Sequence, residues 1–233
     1  GASEKPVNSL LQNDGQGRFR DVTFAAGLGE RHYPTQTAAW ADFDQDGKLD
    51  LYIGNEDHPC QLFHNDGTGH FVEIASQAGV EDGGYTKGVA SGDYDGDGDP
   101  DLYVSNLNGD NFLYRNNRNG TFTDVAQKLG VSGPKRGFPT WFWDFNNDGK
   151  LDIFASSYDG NIDDIAASYF FPEKHRAVEL DALYQGDGKG GFRDVAEVCT
   201  LGLFGSLGGE WCGCDVRGLD WTRQPHFRCA PPL

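Results

Sequence analysis

The chain has 233 residues and a mass of 25.5 kDa, room for one large all-β domain or two small ones. Its 36 acidic against 19 basic side chains leave a formal charge of −17, which argues against a nucleic-acid surface and against an anionic membrane, both of which need basic side chains. At 37% hydrophobic and 13% aromatic it can bury a core, and no apolar run approaches the ~18 residues needed for membrane insertion.

From the N-terminus, Gly1-Ala2-Ser3 and the lack of any methionine predict a processed or excised chain. The segment Leu10-Leu-Gln-Asn-Asp-Gly-Gln-Gly-Arg-Phe-Arg-Asp-Val22 predicts a hairpin of two short strands about an Asn-Asp-Gly turn. Trp40 to Asn55 then predicts one strand entering and one leaving an aspartate-rich turn. Both motifs recur in alternation. Hairpin copies begin at Gln61, Phe112 and Leu183, and aspartate copies span Ser91 to Asn106 and Phe142 to Ser157. The leading aspartates Asp42, Asp93 and Asp144 are 51 residues apart, whereas the hairpin phenylalanines Phe19, Phe71, Phe122 and Phe192 are separated by 52, 51 and 70. About 19 residues have therefore been inserted before the last hairpin, within residues 158–180. There Asn161 or Asp163 can cap a short helix carrying Ile162, Ile165, Ala166 and Tyr169 on one face.

Four antiparallel strands in about 40 to 50 residues is the size of one propeller blade. The expected fold is all-β, a β-propeller-type repeat of four-stranded antiparallel blades with one short helical insertion. About three and a half to four blades are expected, an incomplete ring. The repeats cover residues 8–197, and residues 198–233 form a divergent tail rich in Cys, Trp and Arg.

Each aspartate motif reads Asp-x-Asp/Asn-x-Asp-Gly-x-x-Asp. The candidate cation ligands are Asp42, Asp44, Asp46 and Asp50 in loop 1, Asp93, Asp95, Asp97 and Asp101 in loop 2, and Asp144, Asn146, Asp148 and Asp152 in loop 3. The backbone carbonyls of Lys48, Asp99 and Lys150 would complete them, with Gly47, Gly98 and Gly149 making the sharp turn that lets alternate side chains converge. The three loops hold 12 aspartates and two lysines, so without a cation like charges repel over a few ångströms. An all-oxygen, highly charged set favours Ca2+, up to three ions in all. This is not an EF-hand, because the acidic twelfth position is replaced by Ile53, Val104 and Ala155.

These loops, with the Asn-Asp-Gly-x-Gly-x-Phe-x-Asp-Val segments, resemble the FG-GAP/VCBS-type calcium-loop β-propeller repeats similar to those of integrin α chains. The insertion resembles the branch that includes bacterial UnbV and cartilage acidic protein. The literal Phe-Gly and Gly-Ala-Pro pair is absent. The resemblance implies a secreted, cell-surface or periplasmic propeller, usually of about seven blades, used for adhesion to a protein or carbohydrate ligand.

After Glu197 the repeat fails: a fourth loop would start at Asp215, but Arg217, Leu219 and Arg223 occupy its ligand positions. A divergent capping segment or a reading-frame change would each explain it, and Cys212-Gly-Cys214 with His226 and Cys229 matches no common zinc spacing. The five cysteines permit at most two disulfides. Trp141 and Trp143 stand where other repeats carry Ala39 and Ala41 or Ala90 and Gly92, serving either sugar stacking or blade packing. His32, His58, His64, His70 and His175 pair with no nucleophile and read as surface or loop histidines. No catalytic constellation emerges, so a calcium-stabilised binding scaffold leads, with a carbohydrate lyase or hydrolase on the same fold as the alternative. Blade edges left open would favour self-association.

Overall fold

A computed structural model of the chain describes residues 8–31, 33–158, 179 and 181–196. The predicted insertion helix and the tail, with four of the five cysteines, lie outside the described residues.

The hairpin motif forms β1 (Leu11–Asn13) and β2 (Phe19–Asp21), a separate two-stranded sheet. Three four-stranded antiparallel blades follow. The first is β3 (Thr35–Ala41), β4 (Asp50–Asn55), β5 (Gln61–Asn65) and β6 (Phe71–Glu73), with the short helix α1 (Ala75–Ala78) after it. The second is β7 (Thr86–Gly92), β8 (Asp101–Asn106), β9 (Phe112–Asn116) and β10 (Phe122–Asp124), with α2 (Ala126–Leu129) after it. The third is β11 (Gly137–Trp143), β12 (Asp152–Ser157), β13 (Ala182–Gly186) and β14 (Phe192–Asp194).

Each blade is therefore an aspartate hairpin joined to a second hairpin whose turn is rich in Asn, Asp and Gly, and β1 and β2 correspond to the outer half of a blade. Within a blade the strands pair in chain order, and registers repeat: Tyr52 lies opposite Leu62 just as Tyr103 lies opposite Leu113. The two helices are single turns, closed by Gly79 and Gly130 in the left-handed conformation (φ 76° and 71°), where a side chain would be strained.

Packing runs from blade to blade in chain order, β3 and β4 against β7, then β7 and β8 against β11. The central strands are buried on both faces, which is why Leu51-Tyr-Ile and Leu102-Tyr-Val are unbroken apolar runs. Tyr52 and Tyr103 are fully buried, and each hydroxyl donates to the turn after its own blade's helix, to the carbonyls of Val80 (2.9 Å) and Val131 (2.7 Å). A buried hydroxyl without an acceptor is costly, so each hydroxyl helps fix where the turn sits.

Aromatic pairs bind successive blades together. Phe122 of the second blade meets Phe43, the second residue of loop 1, edge to face at 5.7 Å, and Phe192 of the third stacks on Tyr94 of loop 2 at 5.4 Å. The amide of Asn116 donates to the Phe43 carbonyl at 2.8 Å, and that of Gln45 donates to Gly98 and Asp99 of loop 2. Phe19, the equivalent of Phe122 in the first hairpin, is 63% exposed. Phe142 faces Tyr103 of the second blade, so its neighbours Trp141 and Trp143 lie on the opposite sheet face. Trp141 is exposed there and stacks on Phe154, its cross-strand partner, at 4.7 Å.

Candidate metal centre

All three acidic loops fold alike, because each aspartate has a fixed backbone partner. The first-position carboxylates of Asp42, Asp93 and Asp144 each accept the amides of the fifth and sixth residues, at 2.8 to 3.0 Å. The third-position oxygens of Asp44, Asp95 and Asn146 accept the fifth-position amide, and those of Asp46, Asp97 and Asp148 accept the seventh. This winding needs positive φ twice, at Gln45, Gly96 and Asn147 and again at Gly47, Gly98 and Gly149. Nothing crowds the Cα of Gly47, Gly98 or Gly149, so backbone conformation and not space demands glycine there.

The ninth-position aspartates tie loop to sheet. Asp50, Asp101 and Asp152 each accept the second-position amide on one oxygen and an amide of the third strand (Asn65, Asn116 or Gly186) on the other, the latter always at 2.8 Å. All three are buried. Burial, reinforced by the neighbouring aspartates, pushes the Asp101 carboxyl up to about 7 and that of Asp152 up to about 6, and Asp50 is raised for the same reasons. A bound cation would offset that desolvation and repulsion.

Asp42, Asp44 and Asp46 bring ligand oxygens within 4.8 Å of one another, as do Asp93, Asp95 and Asp101. Among the described residues loop 3 forms no such carboxylate trio, its third position being Asn146. The structure also shows counter-ions. The Lys48 ammonium donates to Asp46 at 2.6 Å, Lys150 lies 3.4 Å from Asp148, and Arg118, at the β9–β10 turn, bonds the Asp99 carboxylate and the Asp97 carbonyl. Asp99 thus offers a backbone carbonyl to loop 2 while its side chain is held by Arg118. The cleft between loops 1 and 2, about 530 Å3, is lined by Gln45, Asp97, Asp99 and Arg118.

Sequence reasoning set His64 aside as a surface or loop residue. The structure places its Nδ1 3.3 Å from both Asp44 Oδ2 and Asp50 Oδ1. It stands on β5 immediately before Asn65, whose amide holds Asp50, so strand register delivers it to the loop. The matching residues in the other blades are Arg115 and Gln185. His58 packs against the Tyr33 ring at a tilt instead, and Cys60 is a buried free thiol against Thr86.

The FG-GAP-like repeat family model matches residues 42–104 and 93–155, each match running from one acidic loop into the next blade. The chain is 31% identical over 153 residues to mouse (Mus musculus) cartilage acidic protein 1, covering 60% of this chain and 24% of that protein. It is 40% identical over 113 residues to cartilage acidic protein 1 of Xenopus tropicalis and of Homo sapiens, in each case covering 46% of this chain and 17% of the relative. It thus spans no more than about a quarter of these relatives. A solved structure described as recognition of non-reducing terminal N-acetylglucosamine by an Agrocybe aegerita lectin aligns with 79% of this chain and 45% of its own, at 18% identity and a TM-score of 0.47. With the repeat matched across two successive loop-to-loop periods and the same blades found in space, residues 42–155 are FG-GAP-like repeats.

Proposed function

We propose that this chain is a calcium-binding repeat scaffold, secreted or displayed at a cell surface, that recognises a protein or carbohydrate partner. The observation carrying the proposal is the threefold repetition of one loop fold with a buried ninth-position aspartate, in which carboxylates converge in loops 1 and 2. In loops 1 and 2 the side chains would supply oxygen ligands from the first, third, fifth and ninth positions, with the seventh-position carbonyl added, a set suited to a hard dication. Loop 3 would bind through Asp144, Asp148, Asp152 and the Asn146 amide oxygen. Bound calcium would neutralise the loops and, because Phe43 and Tyr94 lie within them, stiffen the contacts between blades. A binding role is favoured over a lyase or hydrolase because Lys48, Lys150 and Arg118 are each engaged by carboxylates of the loops.

Thermal unfolding in calcium and in excess chelator tests this reading. Extracellular calcium modules bind with dissociation constants on the order of 0.1 to 1 mM, so millimolar calcium raises the melting temperature. A melting curve unchanged by calcium or chelator overturns it.

A further inference from the structure

The first hairpin copies the outer half of a blade down to its side-chain contacts. Arg20 donates to Gln12 at 2.8 Å just as Arg193 donates to Gln185 at 2.8 Å, and Asn13 accepts the Gly15 amide as Asn65 accepts that of Gly67. Yet in each full blade the equivalent of β1 is paired on its other side by the strand leaving the acidic loop: β5 by β4, β9 by β8, β13 by β12. Among the described residues β1 pairs with β2 alone. The Leu10 carbonyl accepts the Val22 amide at 2.9 Å and the Asp14 amide donates to the Arg18 carbonyl at 3.0 Å. By strand alternation the amides and carbonyls of Leu11 and Asn13 therefore point to the open edge. Packing tells the same story. Phe63, Tyr114 and Tyr184, the counterparts of Leu11, are buried and lie opposite Leu51, Leu102 and Ile153, whereas Leu11 is 54% exposed.

We propose that the open edge of β1 is a docking site for one kind of partner, the aspartate hairpin of another repeat of the same type, which adds to β1 and β2 and completes a four-stranded blade. The three described aspartate hairpins are each engaged within their own blade, so the occupant is not one of them. They nevertheless define its chemistry. Its second strand would begin with the ninth aspartate of its loop, which would accept the Asn13 amide as Asp50 accepts that of Asn65 and Asp101 that of Asn116, both at 2.8 Å. The carbonyl before that aspartate would accept from the Asn13 side-chain amide, the role that the Leu49 and Pro100 carbonyls have toward Asn65 and Asn116. The aliphatic residue after it would cover Leu11. Ladder bonds along an edge supply affinity for any extended segment, and these side-chain demands supply the selection. The inference goes beyond the scaffold reading and needs no calcium in the chain's own loops.

The probe is a fluorescently labelled peptide of residues 86–106, the aspartate hairpin of the second blade, titrated with the full chain in millimolar calcium and read by anisotropy. It should bind saturably, at about one peptide per chain. Leu11→Pro deletes an amide that points to the open edge and breaks no bond to β2, so it should weaken binding about tenfold or more while the chain still unfolds cooperatively. Leu102→Ser in the peptide keeps its acidic loop, leaves the chain untouched and removes the cover for Leu11, and it too should cost about tenfold. Equal binding by Leu11→Pro, or equal binding of the Leu102→Ser peptide, overturns the docking site. A peptide that does not bind also overturns it, including the case where a second copy fills the edge, seen as self-association that Leu11→Pro abolishes. Peptide binding by a chain whose melting ignores calcium would sink the calcium scaffold and leave the docking site standing.

Discussion

Replacing Asp101 by asparagine should stabilise the chain without calcium and destabilise it with calcium. Asp101 is 1% exposed and its carboxyl is pushed up to about 7 by burial and by Asp95 and Asp97, against an ordinary value of 3.8. Above pH 7 the folded chain carries a desolvated charge whose cost is about 4 kcal/mol, at 1.36 kcal/mol per unit. Asparagine removes that cost but keeps only one acceptor oxygen for the amides of Tyr94 and Asn116, a loss of about 2 kcal/mol. The calcium-free variant at pH 8 should gain roughly 2 kcal/mol, or about 4–8 °C in melting temperature for a chain of this size. At a calcium concentration a hundredfold over the dissociation constant the unaltered chain gains about 2.7 kcal/mol from the loop, which the variant forfeits, so its sign reverses to a loss of roughly 1 kcal/mol. The pH dependence follows from the same group. Between about 4 and 7 the folded state binds a proton that the unfolded state has released, so the stability of the calcium-free chain falls as pH rises through that window. Scanning calorimetry in chelator and in calcium measures both terms. An equal loss of stability in the two buffers would show Asp101 to be a hydrogen-bond acceptor only, and the electrostatic reasoning would fail.

Loop 2, with a carboxylate trio that includes the buried Asp101, should bind calcium more tightly than loop 3, where Asn146 replaces a carboxylate; calorimetric titration of Asp97→Ala and Asp148→Ala should find the larger loss in the former, and the reverse order would sink the ranking. Phe122→Ala should cost about 3–5 kcal/mol, because it empties the contact with Phe43, whereas Phe19→Ala at its exposed equivalent should cost far less; equal losses by chemical denaturation would contradict blade-to-blade aromatic packing. Exposed Phe19 on the first hairpin and Phe24 just after it, with Trp141 and Tyr158 on the third blade, should drive self-association, seen in sedimentation as a mass that rises with concentration, and a monomer at every concentration would refute it.

The repeat architecture was legible because each strand type recurs with its turn chemistry: the aspartate loops and the apolar triplets after each ninth aspartate keep one spacing of 51, and glycine-containing hairpin turns alternate with them. The assignment of strands to sheets was less so. Thirteen residues separate Asp21 from Thr35 but only five separate Asn55 from Gln61, and the short link keeps β4 and β5 in one sheet while the long one starts a new blade. The helices α1 and α2 escaped notice, since four residues make one turn and show no periodicity. The insertion was read as the helical element, and it lies outside the described residues. His64 was hidden for a different reason: it reaches loop 1 only through pairing of β4 with β5, and no spacing within a loop announces it. The tyrosines were legible as core, but their role in anchoring Val80 and Val131 needed the fold.

A crystal structure grown in millimolar calcium, with anomalous diffraction used to locate ions, tests the central claim most directly. The account predicts an ion in each of the three acidic loops, with Asp50, Asp101 and Asp152 among the ligands and the Lys48 ammonium withdrawn from Asp46. Loops without ions, their carboxylates still bridged by Lys48, Arg118 and Lys150, would contradict it.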